Sequence, residues 1–484
     1  MPLAIHTEIK TGSEKLGSWT AIIAVVVSAV VIGLAVGTLG LVFGLAIVGL
    51  PMVIFFLTWL FGNPLVGLWL SIWIGFFAAG IARYMDGPWG LLMDILLFVS
   101  WLALVFKKKV NWSALKNSGM TMALAWFGFV VLEMFNPESN GFECWFYAMR
   151  GVGFYQLLSF GLVFICFDDV KYLDRFLHWM IFLSILGTIW GLRQMIFGVD
   201  EAENHWLYAE GFAMTHVLHG VLRVFSFYSD AGQFGASQAM VALICGIIAL
   251  GPVSKKKKIG FGIVAIVTFI GFAISGTRGA LAVPGAGVLV YLFMSRNFKI
   301  LIAGFLVFGS IFYVLKYTFA LQNVEQVRRM RTALDPNDES LQVRLRNQKT
   351  FGRYLASRPF GGGIGAAGFW GSRFNPYSLL ANTATDSYYV KIWAETGIVG
   401  ICFHLFMFGF FIGKGGHIIW HLRDPVLRVK MSALFAGMCG VMMSSYGNQV
   451  YSQMPTGILM GIAIPLIFIA KRFDTMPDTE GVTD

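Results

Sequence analysis

The sequence predicts an all-α, polytopic integral membrane protein with about 12–14 transmembrane helices and one large, partly helical external loop. Three observations carry this. Of 484 residues, 57% are hydrophobic and only 13% charged, and mean hydropathy is +0.70. Apolar runs recur at about 20 residues, the length that crosses a hydrocarbon core of roughly 30 Å. The charges collect in a few loops rather than being spread along the chain.

In order, residues 1–18 form a polar tail, MPLAIHTEIKTGSEKLGS, read as cytoplasmic and retained, because the apolar stretch after it is too long for a signal-peptide core. Membrane segments are expected near 19–36, 40–61, 64–82, 88–106, 117–135, 148–167, 176–197, 233–253, 259–276, 280–295, 299–318, 388–413, 430–446 and 454–470, with a second cytoplasmic tail over 471–484. The first two share one Gly-rich apolar run, which gives the count its lower bound. This divides the chain into N-terminal membrane helices (19–318), a large loop (319–387) and C-terminal membrane helices (388–470).

Orientation follows from the short basic loops, since lysine and arginine are retained on the cytoplasmic side. Lys107 to Lys109, Lys255 to Lys258, Arg296 with Lys299, the group Lys414, Arg423, Arg428 and Lys430, and Lys471 with Arg472 all fall on one side when both termini are inside. The formal charge of +10 is therefore read as topology, not as a nucleic-acid surface. Five cysteines show no metal-ligand spacing and are expected to behave as small apolar residues.

The segments 136–147, 198–232, 319–387 and 447–453 are then external. The third is too long for a mere connection. It contains an amphipathic piece, Leu341 to Ala356, preceded by DPNDES, where Asp338 or Ser340 is placed to cap a short helix. It also holds nine basic residues (Arg328, Arg329, Arg331, Arg344, Arg346, Lys349, Arg353, Arg358, Arg373) against five acids, a net of +4 on the face where few basic residues belong. Eight of the nine are arginine, whose planar fork of donors matches phosphate oxygens. Arg278 in ISGTRGALA and Arg223 in VLRVFSFYSDAGQFG stand at membrane boundaries on the same side. Each reads either as a side chain reaching to lipid headgroups or, with Arg344 and Arg346, as part of a site for a polyprenyl or lipid diphosphate.

The run PFGGGIGAAG permits close backbone approach and exposes amides that nest an anion or sugar hydroxyls, or else it is a flexible linker. It lacks the GK[ST] ending of a nucleotide-binding loop. Asp386 is the one acid near it before the chain re-enters the membrane. It reads equally as a general base toward a sugar hydroxyl and as the N-cap of the helix that follows. Glu395, nine residues on, is expected about two and a half turns inside that helix, where an ionisable group needs a partner.

The order of motifs, Arg223 followed by D-A-G-Q-F-G ending at Gly235, S-G-T-R-G-A at 275–280, R-L-R-N at 344–347, R-P-F-G-G-G-I-G at 358–365 and D-S-Y-Y-V-K-I-W-A-E-T-G-I-V-G at 386–400, resembles the O-antigen ligase and polysaccharide polymerase family of bacterial membrane glycosyltransferases. The resemblance covers roughly 220–445. It implies metal-independent transfer, without cofactor, of a glycan from undecaprenyl diphosphate to a lipid, polysaccharide or protein hydroxyl, at the periplasmic face of the bacterial inner membrane. By position, Arg223, Arg278 and Arg344 become diphosphate binders, with Arg346 beside them, and Asp386 becomes the catalytic residue. Gly363, Gly365 and Tyr389 would lie near the glycan or acceptor. One departure stands out: ligases of the family carry histidine in an H-N-x-Y-L pattern where this chain has Asp386 in D-S-Y-Y-V. That leaves ligase and polymerase open. A transporter or flippase of lipid-linked oligosaccharides is the alternative, disfavoured because the membrane segments are nearly charge-free at their centres.

Overall fold

A computed structural model describes residues 41–218, 220–296 and 339–474 continuously, with scattered positions between 23 and 37 and between 302 and 331. It divides into two units, 1–64 and 65–484. The first contributes one described apolar helix, α1 (Leu41–Gly62).

The second unit is a helical bundle: α2 (Leu65–Ile81), α3 (Trp89–Phe106), α4 (Ser118–Leu132), α5 (Phe142–Cys166), α6 (Lys171–Phe197), α7 (Glu201–Tyr208), α8 (Ala231–Leu250), α9 (Lys255–Ile274), α10 (Ala282–Met294), α11 (Glu339–Leu355), α12 (Gly368–Phe374), α13 (Tyr388–Trp420), α14 (Pro425–Ser444) and α15 (Thr456–Phe468). Among the described residues eight helices are long and apolar enough to cross a membrane. The spans expected at 19–36 and 299–318, the first tail, the second tail beyond 474 and the capping cluster at 335–338 lie outside the continuously described residues. The fold is therefore an all-α multi-pass membrane architecture. Helices are the form that satisfies every backbone polar group in lipid without outside help. The one described ribbon, β1 (Val217–Leu218) against β2 (Val221–Leu222), lies in the segment between α7 and α8.

Aspartate and asparagine start several helices as a helix N-terminus prefers: Asn117 accepts from the amide of Gly119 at 2.8 Å, Asp230 from Gln233 at 3.0 Å and Asp424 from Val426 at 2.8 Å. Helices α8 and α14 form the centre, 78% and 83% buried, while α9 is 17% buried and faces outward. Small residues let the backbones meet, as expected where lipid supplies no hydrophobic drive. A Cβ on Gly440 would stand 2.4 Å from the Val283 carbonyl, and one on Gly287 2.8 Å from that of Ala436.

Three of the basic clusters, those of Arg296, of Arg423 with Lys430, and of Arg472, gather at one end of the bundle. Lys430 pairs with Asp174 at the start of α6, Arg472 donates to the Phe164 carbonyl, Arg296 lies 4.1 Å over the Trp420 ring, and Asp474 accepts from the amides of Arg423 and Asp424.

The main departure lies in α13. Its first nine residues do not begin a crossing. Tyr388 and His404 are sixteen positions apart, which on a straight helix is about 24 Å, yet their rings are 5.3 Å apart, and Tyr389 and Phe408 meet at 6.0 Å. The backbone turns at Gly397, with φ +63°. Residues 388–396 therefore run toward the end opposite the lysines and fold back along the rest of the helix. Glu395 is consequently at the bend near that outer end, not two and a half turns inside.

Candidate functional site

The segments carrying the sequence motifs meet at the end opposite the lysines. Arg223 follows β2 directly, its amide bonded to the His216 carbonyl at 2.7 Å. Its guanidinium donates to the Thr215 carbonyl and to Thr277 Oγ1, both at 3.0 Å. Thr277 in turn donates to the Ala231 carbonyl at 2.8 Å, joining Arg223 to the SGTRG turn and to the first turn of α8. Arg278 begins the short 3-10 turn Arg278–Leu281, half-buried. Next to it, Gly279 packs on the turn after α14: its carbonyl accepts from Ser444 Oγ at 3.0 Å, and a Cβ on Gly447 would lie 3.5 Å from Gly279 Cα and 3.9 Å from Arg344 Nη1. Asn448 closes the ring against Gly232, with its side-chain nitrogen 1.8 Å from where a Cβ would stand. Arg223, Arg278 and Arg344 are thus brought to one neighbourhood by three distant parts of the chain.

Arg344 lies on the packed face of α11, in register with Asn347 and with Phe351, which is fully buried. Arg346, two residues on, is exposed. Residues two apart point to different sides of a helix, so the structure does not bring Arg346 to the other three. Arg358 is also elsewhere: its Nε pairs with Glu138 at 3.1 Å, and its guanidinium covers Tyr354 at 4.2 Å.

Asp386 stands beside this ring on a turn held from both sides. The Ala384 carbonyl accepts from Asn347 at 3.0 Å, Thr385 Oγ1 accepts from Gln449 at 2.6 Å, and the Tyr388 amide donates to the Ser445 carbonyl at 2.9 Å. Between these anchors Asp386 has φ +50°, and the Ser387 amide bonds back to the Thr385 carbonyl at 2.6 Å. Such a tight turn is strained for a residue with a Cβ. The helix cap is Ser387, whose Oγ accepts from Val390. The reading of Asp386 as N-cap therefore fails, and its half-buried carboxylate accepts no hydrogen bond among the described residues. The turn lies near the height of Val152 on α5, because Trp126 bonds the Val152 carbonyl at 2.9 Å and its ring lies 4.6 Å from that of His404, next to Tyr388. α5 runs ten residues further to Phe142, about 15 Å, so Asp386 is recessed below the outer rim.

The glycine run serves a different purpose from the one its composition suggests. Residues 361–367 are all buried. The Gly362 amide donates to the Ala394 carbonyl at 3.0 Å, and the Val399 amide donates to that of Pro359 at 3.1 Å. A Cβ on Gly363 would stand 2.7 Å from Ser139 Cα, and one on Gly365 2.8 Å from Cys144 Sγ. These glycines hold the bend of α13 against the end of α5. The amides of Gly365 and Ala367 lie beside the protein's own Glu395, fully buried with Lys391 Nζ 4.0 Å away. Tyr389 is likewise engaged, its hydroxyl bonded to the Met442 carbonyl at 2.6 Å.

Several site-forming residues are not evident from composition. Arg83 donates to the carbonyls of Ser226 and Tyr228 and lies over Trp206 and Phe225 at 4.2 and 4.5 Å. Burial pulls its pKa down to about 10, against the opposing field of Glu203. Ser226, at φ +54°, is pinned further by Gln194 at 2.7 Å and by the Gly187 carbonyl at 2.8 Å. His216, buried beside Arg223, is held below its ordinary pKa chiefly by desolvation. The one available signal was the polar cluster GNQ at 447–449 between two apolar segments.

Comparison with known proteins bears on this arrangement directly. Residues 263–405 match the O-antigen ligase family. The matched stretch holds Arg278, Arg344, the glycine run, Asp386 and the bend of α13. An O-antigen polymerase of Salmonella muenchen is 29% identical over 191 residues, 38% of this chain and 45% of that protein. The chain thus spans less than half the length of that relative. The likeness to the O-antigen ligase and polymerase family read from the motifs is shown by these matches.

Proposed function

We propose that the chain is a membrane glycosyltransferase that moves a glycan from undecaprenyl diphosphate to an acceptor hydroxyl at the periplasmic face, without a metal ion. One observation carries this reading: the segments bearing Arg223, Arg278 and Arg344 meet beside a strained, recessed Asp386 whose carboxylate is not used as a helix cap.

In this reading the arginines hold the diphosphate. Asp386 takes the proton of the acceptor hydroxyl, whose oxygen forms a bond to the anomeric carbon as the bond from that carbon to phosphate breaks. The electron pair leaves on the diphosphate, where the guanidinium groups stabilise the growing charge. A single displacement of this kind inverts the anomeric configuration. Positioned general-base catalysis supplies about 10²–10⁴-fold, and each preorganised donor on the developing charge about 10²–10³-fold.

The test is release of undecaprenyl diphosphate from an undecaprenyl-diphosphate oligosaccharide by purified protein with acceptor, in chelator and without nucleotide. Arg278→Ala and Arg344→Ala should each lower transfer by roughly 10²-fold or more. Full activity in both variants sinks the clamp.

A further inference from the structure

An ordered patch of aromatic rings covers the outer end of α5. From Cys166, a hydrocarbon layer of roughly 30 Å is crossed in about 20 residues, which ends near Tyr147. At that height α12 packs on α5. Trp370 stacks on Tyr147 at 4.9 Å and 16°, and Phe374 lies 6.1 Å from the same ring. The guanidinium of Arg373 is 5.9 Å from the centroids of all three rings. Around this stack, Phe369 is 71% exposed, Phe142 62% and Tyr377 95%. Apolar rings left this open on an ordered surface mark an interaction site.

We propose that α12 and the outer end of α5 dock into the headgroup layer of the bilayer, so that the outer domain rests on lipid at this edge. The patch is continuous with a membrane-spanning helix and at the height where that helix leaves the hydrocarbon. Its residues are those of a membrane interface: aromatic rings, and an arginine whose stem lies along apolar surface while its head reaches phosphate. The anchor also bears on the site. Asn375, at the end of α12, bonds Asn140 at 3.0 Å, and Ser372 bonds the Ala381 carbonyl at 3.4 Å, four residues before Thr385. The depth of the Asp386 turn is thereby referred to the headgroup plane.

The experiment places a spin label at Phe369→Cys in the full chain, in lipid nanodiscs, in a Cys402→Ala background because Cys402 is an exposed native thiol. Collision with oxygen is compared with collision with a water-soluble nickel chelate, and Arg346→Cys, on the exposed face of α11, serves as the aqueous reference. The expected result is oxygen accessibility several-fold higher relative to nickel at 369 than at 346. Equal, water-like ratios at both positions overturn the proposal. So does protection of 369 that appears only when oligosaccharide is added, which would assign the patch to glycan. A photo-crosslinking amino acid at Tyr377 gives a second reading without the label: phospholipid adducts are expected, and their absence counts against docking.

Discussion

At the scale of single residues, the decisive feature is the backbone of Asp386. A side chain at φ +50° costs on the order of 1 kcal/mol relative to glycine, and such strain persists only where neighbours enforce it. Here Asn347, Gln449 and Ser445 do so. Asp386→Gly should therefore leave the melting temperature unchanged or raise it, while transfer falls by about 10²–10⁴-fold. Parallel melting and activity measurements decide the point, because a merely structural aspartate would lose both together. Asp386→Asn keeps the shape without the base and should be nearly as inactive; transfer at the wild-type rate would end the general-base reading. His216 supports a pH prediction. Burial holds its pKa in the folded protein below the ordinary 6.5, so the unfolded chain binds its proton first as pH falls. The folding advantage of neutral His216 is complete above pH 6.5 and is lost as pH drops through the lower folded value. Melting temperature should fall below pH 6.5, and His216→Gln should flatten that fall. Equal slopes in the two proteins would show that His216 does not contribute.

At the scale of elements, the bend of α13 shows what a sequence reading reaches and what it misses. The helices over 89–106, 231–250, 255–274 and 339–355 were legible within a few residues, because a run of apolar side chains about 20 long, or an amphipathic stretch with a turn before it, has few other solutions. The reversal at Gly397 was not, since the apolar run continues through it and hydropathy carries no direction. Nor was the burial of the glycine run: composition reports freedom of approach, and only the fold shows that what approaches is Ser139, Cys144 and the α13 backbone. For the same reason the arginine set was partly legible. Motif order pointed to Arg223, Arg278 and Arg344, but the exposure of Arg346 and the pairing of Arg358 with Glu138 depend on helix phase and a distant partner. Gly397→Ala tests the bend. The new Cβ would meet the Pro359 carbonyl at 2.1 Å, an oxygen fixed by its bond from the Val399 amide, on top of roughly 1–2 kcal/mol for the left-handed backbone. Against a typical total stability of about 5–15 kcal/mol, the variant should melt several degrees lower and yield less folded protein. A wild-type melting curve would mean the bend relaxes without cost.

At the scale of the whole molecule, the two ends differ in how their cations are held, the first carrying lysines together with Arg296, Arg423 and Arg472. One end collects lysines, with Lys430 on Asp174 and Lys255 to Lys258 exposed at the start of α9. The other collects arginines that are packed, bridged or half-buried around Asp386. Lysine is a strongly hydrated point charge suited to a cytoplasmic surface, whereas arginine retains its charge and a directed fork of donors when partly desolvated. The two populations therefore predict an orientation: lysine end in the cytoplasm, arginine end in the periplasm. On the proposed reading, a diphosphate at the arginines keeps its polyprenyl chain in the bilayer while the acceptor approaches from the aqueous side. Single cysteines at Arg346 and at Lys256, both exposed, test it in a Cys402→Ala background. A membrane-impermeant maleimide added to cells with a permeable outer membrane and an intact inner one should label Arg346→Cys alone, and should reach Lys256→Cys only after the inner membrane is opened. Labelling of Lys256→Cys in the intact preparation, with Arg346→Cys protected, would invert the topology and place the Asp386 site on the wrong side for a periplasmic transfer.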